Sequence, residues 1–337
     1  MIEESPELDL VDIDILNYHG YTVDQLIDPT SIPANSLTSA FVRYINDDIV
    51  HPNNPFRVSP FRLFIVKNLP PNAKAIFRHG RYCIVIHHSV LELLGNVIYK
   101  RFPVLFPPES KLNRFLEVNT NMGLSSFVFM QITLYIYNHE LAHLNQYKNQ
   151  QKSASQLQEE YCDLTAGSKF NGRSHAMEID ADIYAATEVA YSIFTFWNQL
   201  PEKERETDLL YALISVFGAA IFLFWQTMQG GWPTLYFLDQ THPHIMIRVT
   251  YILDCMTTVL QGAGDPANPF SRDTCQLQTL ELANKLLQDS QGHGLKSYLT
   301  LFQDNIDAFE EYSKQHIVPI SKSLPFLVQW NRPKATI

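Results

Sequence analysis

The chain has 337 residues, of which 46% are apolar and 18% charged, and its formal net charge is −10. These values are typical of a well-packed globular protein, long enough for one large domain or two. Nucleic acids and anionic membrane surfaces are bound by clustered Lys and Arg, so the acidic balance argues against both as partners.

The N-terminus and the cysteines bear on the cellular compartment. The chain begins MIEESPE, which is acidic and unlike the apolar core of a signal peptide. The four cysteines, Cys83, Cys162, Cys255 and Cys275, lie far apart and form no C-x-x-C pair. Scattered cysteines of this kind indicate reduced thiols in the core of a protein. We therefore expect a cytoplasmic protein.

The N-terminal third reads as loops and a small sheet. Prolines are frequent between residues 29 and 71, which indicates surface loops. The apolar run 61–66 predicts a strand, and residues 75–86 predict a hairpin that turns at a glycine. Residues 90–102 have the periodicity of an amphipathic helix. We expect three regions: a loop-rich region with a small sheet at 1–115, a helical core at 116–260, and a helical C-terminal region at 261–337.

The strongest chemical signal is the H-E-x-x-H run from His139 to His143. Residues four apart share one face of a helix, so the two imidazoles can hold one zinc ion while Glu140 acts as a general base toward a water molecule. The preceding stretch 127–137 carries no charge, as expected of a helix that is buried on most of its faces. Buried polar groups need partners, and a metal ion would supply one for this turn.

A second run provides a third ligand. Residues Glu178 to Asp182 read E-x-x-A-D at the start of a helical pattern, with the two carboxylates on one face. Glu178 can bind the metal, and Asp182 can accept the second ring N–H of a ligand histidine. The connection 144–176 is polar and rich in Gln, Ser and Lys, which predicts a loop with a short helix at 154–165.

A third run, Thr241-His242-Pro243, predicts a turn into a helix. The H-E-x-x-H run indicates metal-assisted hydrolysis of an amide bond. The imidazole of His242 could stabilise the oxyanion formed in that reaction, and Arg248 could pair with the acidic residues of the site. Between the second and third runs, residues 209–225 are free of charge over 17 positions. This length touches the lower limit for a membrane span, but the flanks lack basic clusters, and we interpret the segment as a buried helix. Beyond a turn region at 262–269, helices are expected at 273–288, at 295–313 and near the end.

The three runs in this order resemble the Lit-type phage-exclusion metallopeptidases, which are gluzincins, over roughly residues 75–250. Similar elements occur in CAAX prenyl endopeptidases and their bacterial heat-shock relatives. The resemblance implies zinc ligands at His139, His143 and Glu178 and a base at Glu140. It also implies selective cleavage of a folded host protein, such as a translation factor, during phage infection.

The sequence thus predicts a mostly helical α+β protein with a zincin-like core and one zinc ion per chain. Its predicted activity is that of a zinc-dependent endopeptidase acting on a protein or peptide. Two alternatives stay open: a membrane-associated peptidase of the CAAX or heat-shock type that uses 209–225 as a span, and a non-catalytic interaction protein that binds zinc for structure.

Overall fold

The computed structural model describes residues 8–28, 31–33, 36, 38–42, 45, 58–59, 61–152, 170–228, 235–240, 242–261, 271–291 and 298–329. Within these ranges the chain is mostly helical with one small sheet, which confirms the α+β prediction. The strands are β1 Phe61–Val66, β2 Ala73–Arg78 and β3 Arg81–His87. The helices are α1 Leu10–Tyr18, α2 His88–Leu105, α3 Lys111–Thr120, α4 Leu124–Lys152, α5 Gly172–Gln199, α6 Thr207–Met228, α7 Ile245–Gln261, α8 Arg272–Gln291, α9 Tyr298–Gln303, α10 Ile306–Tyr312 and α11 Val318–Ser323.

The sheet consists of a hairpin and one further strand. β2 and β3 pair antiparallel, and β1 pairs parallel with β3, so that β3 lies in the centre. The two residues at the hairpin turn, His79 and Gly80, have positive φ angles of 51° and 74°. Positive φ at both positions is the requirement of the type I′ turn that suits a two-residue hairpin. The predicted strand and hairpin are both confirmed.

The central strand is buried on both faces. Residues 83–86 are fully buried, as expected for the uninterrupted apolar run CIVI. Cys83 and Val85 pack against Ile15 and Leu16 of α1, while the other face of the sheet joins the main core. The sheet is thereby held between α1 and the helical part of the protein.

Two apolar helices form the centre of the helical part. The apolar half of α4 is buried almost throughout, and it contacts α6 through the rings of Tyr135 and Phe217, whose centroids are 6.1 Å apart. In the part of the chain that is described, α6 is the one helix long and apolar enough to cross a membrane, and 78% of its apolar window is buried within the protein. Gly218 allows close packing, because a Cβ atom there would lie 2.8 Å from Thr279 and 3.0 Å from Leu253.

The connection between α4 and α5 differs from the prediction. The predicted loop at 144–176 is wrong at both ends, because α4 continues to Lys152 and α5 begins at Gly172. The polar residues Asn145 and Gln146 stay helical because they are buried and hydrogen-bonded. Residues 153–169, which include the predicted short helix and Cys162, lie outside the described residues.

The C-terminal helices differ from the prediction in their bounds. Residues 295–297 of the predicted helix at 295–313 lie outside the described residues, and the rest of it is interrupted at Asp304 and Asn305, where the Asn305 side chain donates to the carbonyl of Leu301. The predicted helix at 273–288 is present as α8, and the turn region 262–269 lies outside the described residues. The largest hydrophobic cluster takes residues from all three predicted regions, between Phe41 and Ile317. Of the four cysteines, the three in the described part, Cys83, Cys255 and Cys275, form no disulfide bond.

Candidate metal centre

Two helices bring the predicted metal ligands together. α4 and α5 pack against each other, with His139 and His143 one turn apart on α4 and Glu178 in the second turn of α5. Glu178 therefore lies further inside its helix than the predicted helix start, because the side chain of Asn171 caps α5 by accepting from the Ser174 N–H. The ligand atoms of the two histidines and Glu178 lie within 4.8 Å of one another.

The distances within this group suit a metal ion. The Nε2 atoms of His139 and His143 face each other at 3.2 Å. The Glu178 carboxylate lies 3.5 Å from the first nitrogen and 3.4 Å from the second. With metal–nitrogen distances of 2.0–2.1 Å, two ligand nitrogens of a tetrahedral zinc site are about 3.4 Å apart. The group could therefore hold a metal ion, and its two imidazoles and one carboxylate suit zinc among other divalent metals.

The group is also accessible from one side. The side chains of His139, His143 and Glu178 are 11%, 12% and 15% exposed, and that of His242 beside them is 46% exposed. A structural zinc site normally has four protein ligands and is closed, whereas a catalytic site keeps one open position. Three converging ligands with a partly exposed face have the character of the open kind.

Asp182 organises the buried side of the centre. Its carboxylate lies 3.0 Å from Nδ1 of His139, in a contact that lacks hydrogen-bond geometry. It also accepts from the hydroxyl of Tyr135 and, at 2.7 and 2.6 Å, from two nitrogens of Arg248. Burial would raise the pKa of Asp182, but the Arg248 guanidinium outweighs it and lowers that pKa. Asp182 is therefore a charged acceptor beside the ligand histidine.

Arg248 joins the two carboxylates of α5. Besides its two bonds to Asp182, one guanidinium nitrogen lies 3.3 Å from Glu178, and the guanidinium carbon lies 4.0 Å from the centroid of the Trp225 ring. A planar guanidinium can make a forked contact with one carboxylate and stack on an aromatic ring at the same time. The sequence had suggested this pairing with the acidic residues, and the structure places Arg248 in it.

Opposite charges hold the ligands in place. Burial alone would lower the pKa values of His139 and His143, but Asp182 and Glu178 raise the first to about 10, and Glu178 raises the second. In the same way, burial opposes the charge of Glu178, yet the two imidazoles keep its pKa well below the usual range. Protons and a metal ion therefore compete for the same imidazole nitrogens.

Glu140 and His242 flank the ligand group. Glu140 lies beside His139 on α4 and is buried, and its negative charge adds to the effect of burial in raising the pKa of Tyr21. His242 lies three residues before α7, with Nε2 3.7 Å from Glu178, so the predicted turn into a helix is confirmed. Thr241, the first residue of that run, lies outside the described residues.

A buried histidine fixes the segment that carries His242. His175 of α5 donates from Nε2 to the carbonyl oxygen of Gln240 at 2.8 Å and accepts at Nδ1 from the hydroxyl of Tyr312. A carbonyl oxygen only accepts, so the proton must be on Nε2. Burial lowers the pKa of His175 to about 4, and the ring is neutral at ordinary pH. The bond to Gln240 ties α5 to the chain two residues before His242.

Replacing His175 by glutamine, which does not titrate, should change the pH dependence of stability. The folded protein keeps His175 neutral down to about pH 4, whereas the unfolded chain protonates it near pH 6.5. The unfolded state then binds more protons between these values, so stability falls as the pH drops through this window. Between pH 7 and pH 4.5, the free energy of unfolding measured in urea should fall by roughly 1–3 kcal/mol less in His175→Gln than in the wild type. His19, whose pKa is also near 4, titrates in both proteins, so its contribution to the pH dependence cancels in the comparison. An equal loss of stability in the wild type and in His175→Gln would mean that the folded protein does not hold His175 neutral.

The sequence analysis did not identify several residues of the centre. Tyr135 precedes His139 by one turn, and that spacing alone could have identified it. Gln146, which lies 3.0 Å from Nδ1 of His143, belongs to a stretch that was predicted as loop. Tyr312 is 137 residues from His175, so only the folded chain relates the two.

The chain matches no known protein-family model, no curated protein and no solved structure. The function is therefore inferred from the geometry of the centre and from the three sequence runs.

Proposed function

We propose that the protein is a zinc-dependent endopeptidase of the gluzincin type. The observation that carries the proposal is the arrangement of His139, His143 and Glu178, with two imidazole nitrogens 3.2 Å apart on a partly exposed face. Three ligands and an accessible side favour catalysis over a purely structural zinc site. The H-E-x-x-H run adds the carboxylate of Glu140, in the sequence position that the general base occupies in this motif.

In the proposed peptide hydrolysis, the residues of the centre have separate roles. Zinc held by His139, His143 and Glu178 would polarise a carbonyl group and make water more acidic. Glu140 accepts a proton from the attacking water and returns it to the amine nitrogen as the C–N bond breaks. His242, on the exposed side, donates a hydrogen bond to the carbonyl oxygen as negative charge develops there.

The sheet offers a place for an extended substrate. β2 is an edge strand, and α4 packs beside it. The His87 N–H donates to the carbonyl of Asn72, so Asn72 and alternate residues after it bond to β3. By this alternation, the backbone groups of Ala75 and Phe77 point to the outer edge. A peptide could pair there as an added strand, which favours a protein or peptide substrate.

The resemblance to Lit-type peptidases extends the proposal to host defence. Its support is the order of the three runs, which begin at His139, Glu178 and Thr241. By that resemblance the substrate is a folded host protein such as a translation factor, cleaved during phage infection.

Identification of new protein N-termini tests the proposal. The zinc-loaded protein is incubated with a native bacterial proteome, and new N-terminal amines are labelled and identified by mass spectrometry. A small set of cleavages should appear with the wild type and disappear with a chelator or with Glu140→Gln. Identical sets from wild type and Glu140→Gln would contradict the proposed chemistry.

Two further variants should separate zinc binding from catalysis. Asp182→Ala should weaken zinc binding roughly 10–100-fold, as is typical when the partner of a ligand histidine is removed. His242→Ala should leave zinc bound and lower kcat by about 10²–10³ with little change in KM, because its hydrogen bond forms only as charge develops. Chelator competition and steady-state kinetics on an identified substrate measure the two effects. Loss of zinc from His242→Ala would instead make His242 a ligand.

A further inference from the structure

His143 has a polar partner that differs from that of His139. Its Nδ1 lies 3.0 Å from Oε1 of Gln146, less than one turn further along α4. The amide nitrogen of Gln146 donates to the carbonyl oxygen of Met177 at 3.0 Å and to Oδ2 of Asp180 at 2.9 Å. A carbonyl and a carboxylate only accept, so the amide of Gln146 must turn its nitrogen toward them and its oxygen toward His143.

This orientation also determines where His143 carries its proton. An amide oxygen only accepts, so Nδ1 of His143 must donate, and the lone pair of the neutral ring is on Nε2. Nε2 is the atom that faces His139 and Glu178. Gln146 thereby selects the tautomer of His143 that can bind a metal ion.

Asp180 is itself fixed by residues near the C-terminus. The backbone N–H groups of Val328 and Gln329 donate to its two carboxylate oxygens at 2.8 and 2.9 Å. Both Asp180 and Gln146 are completely buried. A buried carboxylate needs such donors, because burying a charge without hydrogen bonds is very costly. These bonds therefore link Val328 and Gln329 to Asp180, which orients Gln146.

The C-terminal segment 324–329 lies against the two helices of the metal centre. Val328 packs with Ala142 of α4 and Ala181 of α5, while Phe326 and Leu327 pack with Met177. Ala142 directly precedes His143, and Ala181 directly follows Asp180. The segment is thus in contact with both ends of the hydrogen-bonded series that runs from Asp180 through Gln146 to His143.

We propose that Gln146 is a positioning residue for the zinc ligand His143, and that the C-terminal segment 324–329 sets this position through Asp180. The inference rests on the proposed zinc site and adds a regulatory property to it: zinc affinity depends on whether segment 324–329 is packed against α4 and α5. The partners of the two ligand histidines then differ: His139 contacts the Asp182 carboxylate, whereas His143 depends on a neutral amide that is linked through Asp180 to segment 324–329.

The first test removes the amide while keeping a side chain of similar size. Gln146→Leu should lower zinc affinity about 10–100-fold in chelator competition, the range typical for partners of metal ligands. It should also shift the visible absorption bands of the cobalt-substituted protein, which report ligand geometry. The matched control is Asn145→Ala, which removes a neighbouring buried amide that donates to the carbonyl of Leu141. This control should lower thermal stability but leave zinc affinity and the cobalt spectrum unchanged.

The second test changes only segment 324–329. Gln329→Pro removes the backbone N–H that donates a hydrogen bond to Asp180, whereas Gln329→Ala keeps it. The proline variant should bind zinc roughly 3–10-fold more weakly than the alanine variant, since a hydrogen bond to a charged group is lost. This pair decides the matter if Gln146→Leu does not fold.

The outcomes distinguish the inference from the proposed function. A folded wild-type protein without zinc affinity would overturn the metal centre and the inference with it. Normal zinc binding by the wild type, with equal affinity in Gln146→Leu or equal affinities in the two Gln329 variants, would overturn only the inference.

Discussion

Glu140→Gln is expected to abolish hydrolysis while the protein stays folded and keeps its zinc. The amide has nearly the shape of the carboxylate, so packing around this buried position is preserved. It cannot accept a proton, however, and the attacking water then has no base. The rate of cleavage should fall by several orders of magnitude, measured as single-turnover cleavage of a substrate identified from the proteome. Zinc content and melting temperature should be those of the wild type.

A matched control is the same change at Glu92, which is exposed on α2 with a side chain 63% accessible. Glu92→Gln should be fully active. If Glu140→Gln lost its zinc or its fold, Glu140 would be serving as a ligand or as a structural anchor instead of a base.

The second large effect is expected from His143→Ala. Wild-type protein purified without chelators should contain about one zinc per chain, and the variant should contain almost none. Removal of one of three converging donors leaves His139 and Glu178 alone, so the loss in affinity should exceed the roughly 10–100-fold typical for residues that only orient a ligand. Metal content by mass spectrometry and affinity by chelator competition measure the change.

The control for this variant is His88→Ala at the start of α2. His88 contacts Thr38 and Glu92 and is not a member of the group formed by the three ligands, so its removal should leave the zinc content unchanged. Full zinc retention by His143→Ala would place the metal, if the protein binds one, at other residues.

Local pattern was sufficient to predict the parts of the centre that depend on helix geometry. The four-residue spacing of His139 and His143 places both on one face of α4, and the same applies to Glu178 and Asp182 on α5. The hairpin was equally predictable, because Gly80 lies between two apolar runs of strand length.

Other parts depend on contacts between distant segments. The polar stretch after His143 reads as a loop, yet it continues α4 because Gln146 finds partners on α5. The roles of Asp180 and of segment 324–329 follow from hydrogen bonds between residues 148 and 149 positions apart, which no local sequence pattern indicates. Periodicity reports which face of an element is apolar, but it does not report which polar groups meet across the core.

The placement of the ligands on two helices has a consequence for folding. The connection between α4 and α5 includes residues 153–169, and in an unfolded chain Glu178 would seldom meet the histidines. A metal ion that binds the folded arrangement far better than the unfolded chain acts as a removable cross-link between α4 and α5. Free metal at 100 times its dissociation constant would add about 2.7 kcal/mol to the free energy of unfolding. The abundance of the folded protein in a cell would then follow the supply of available zinc.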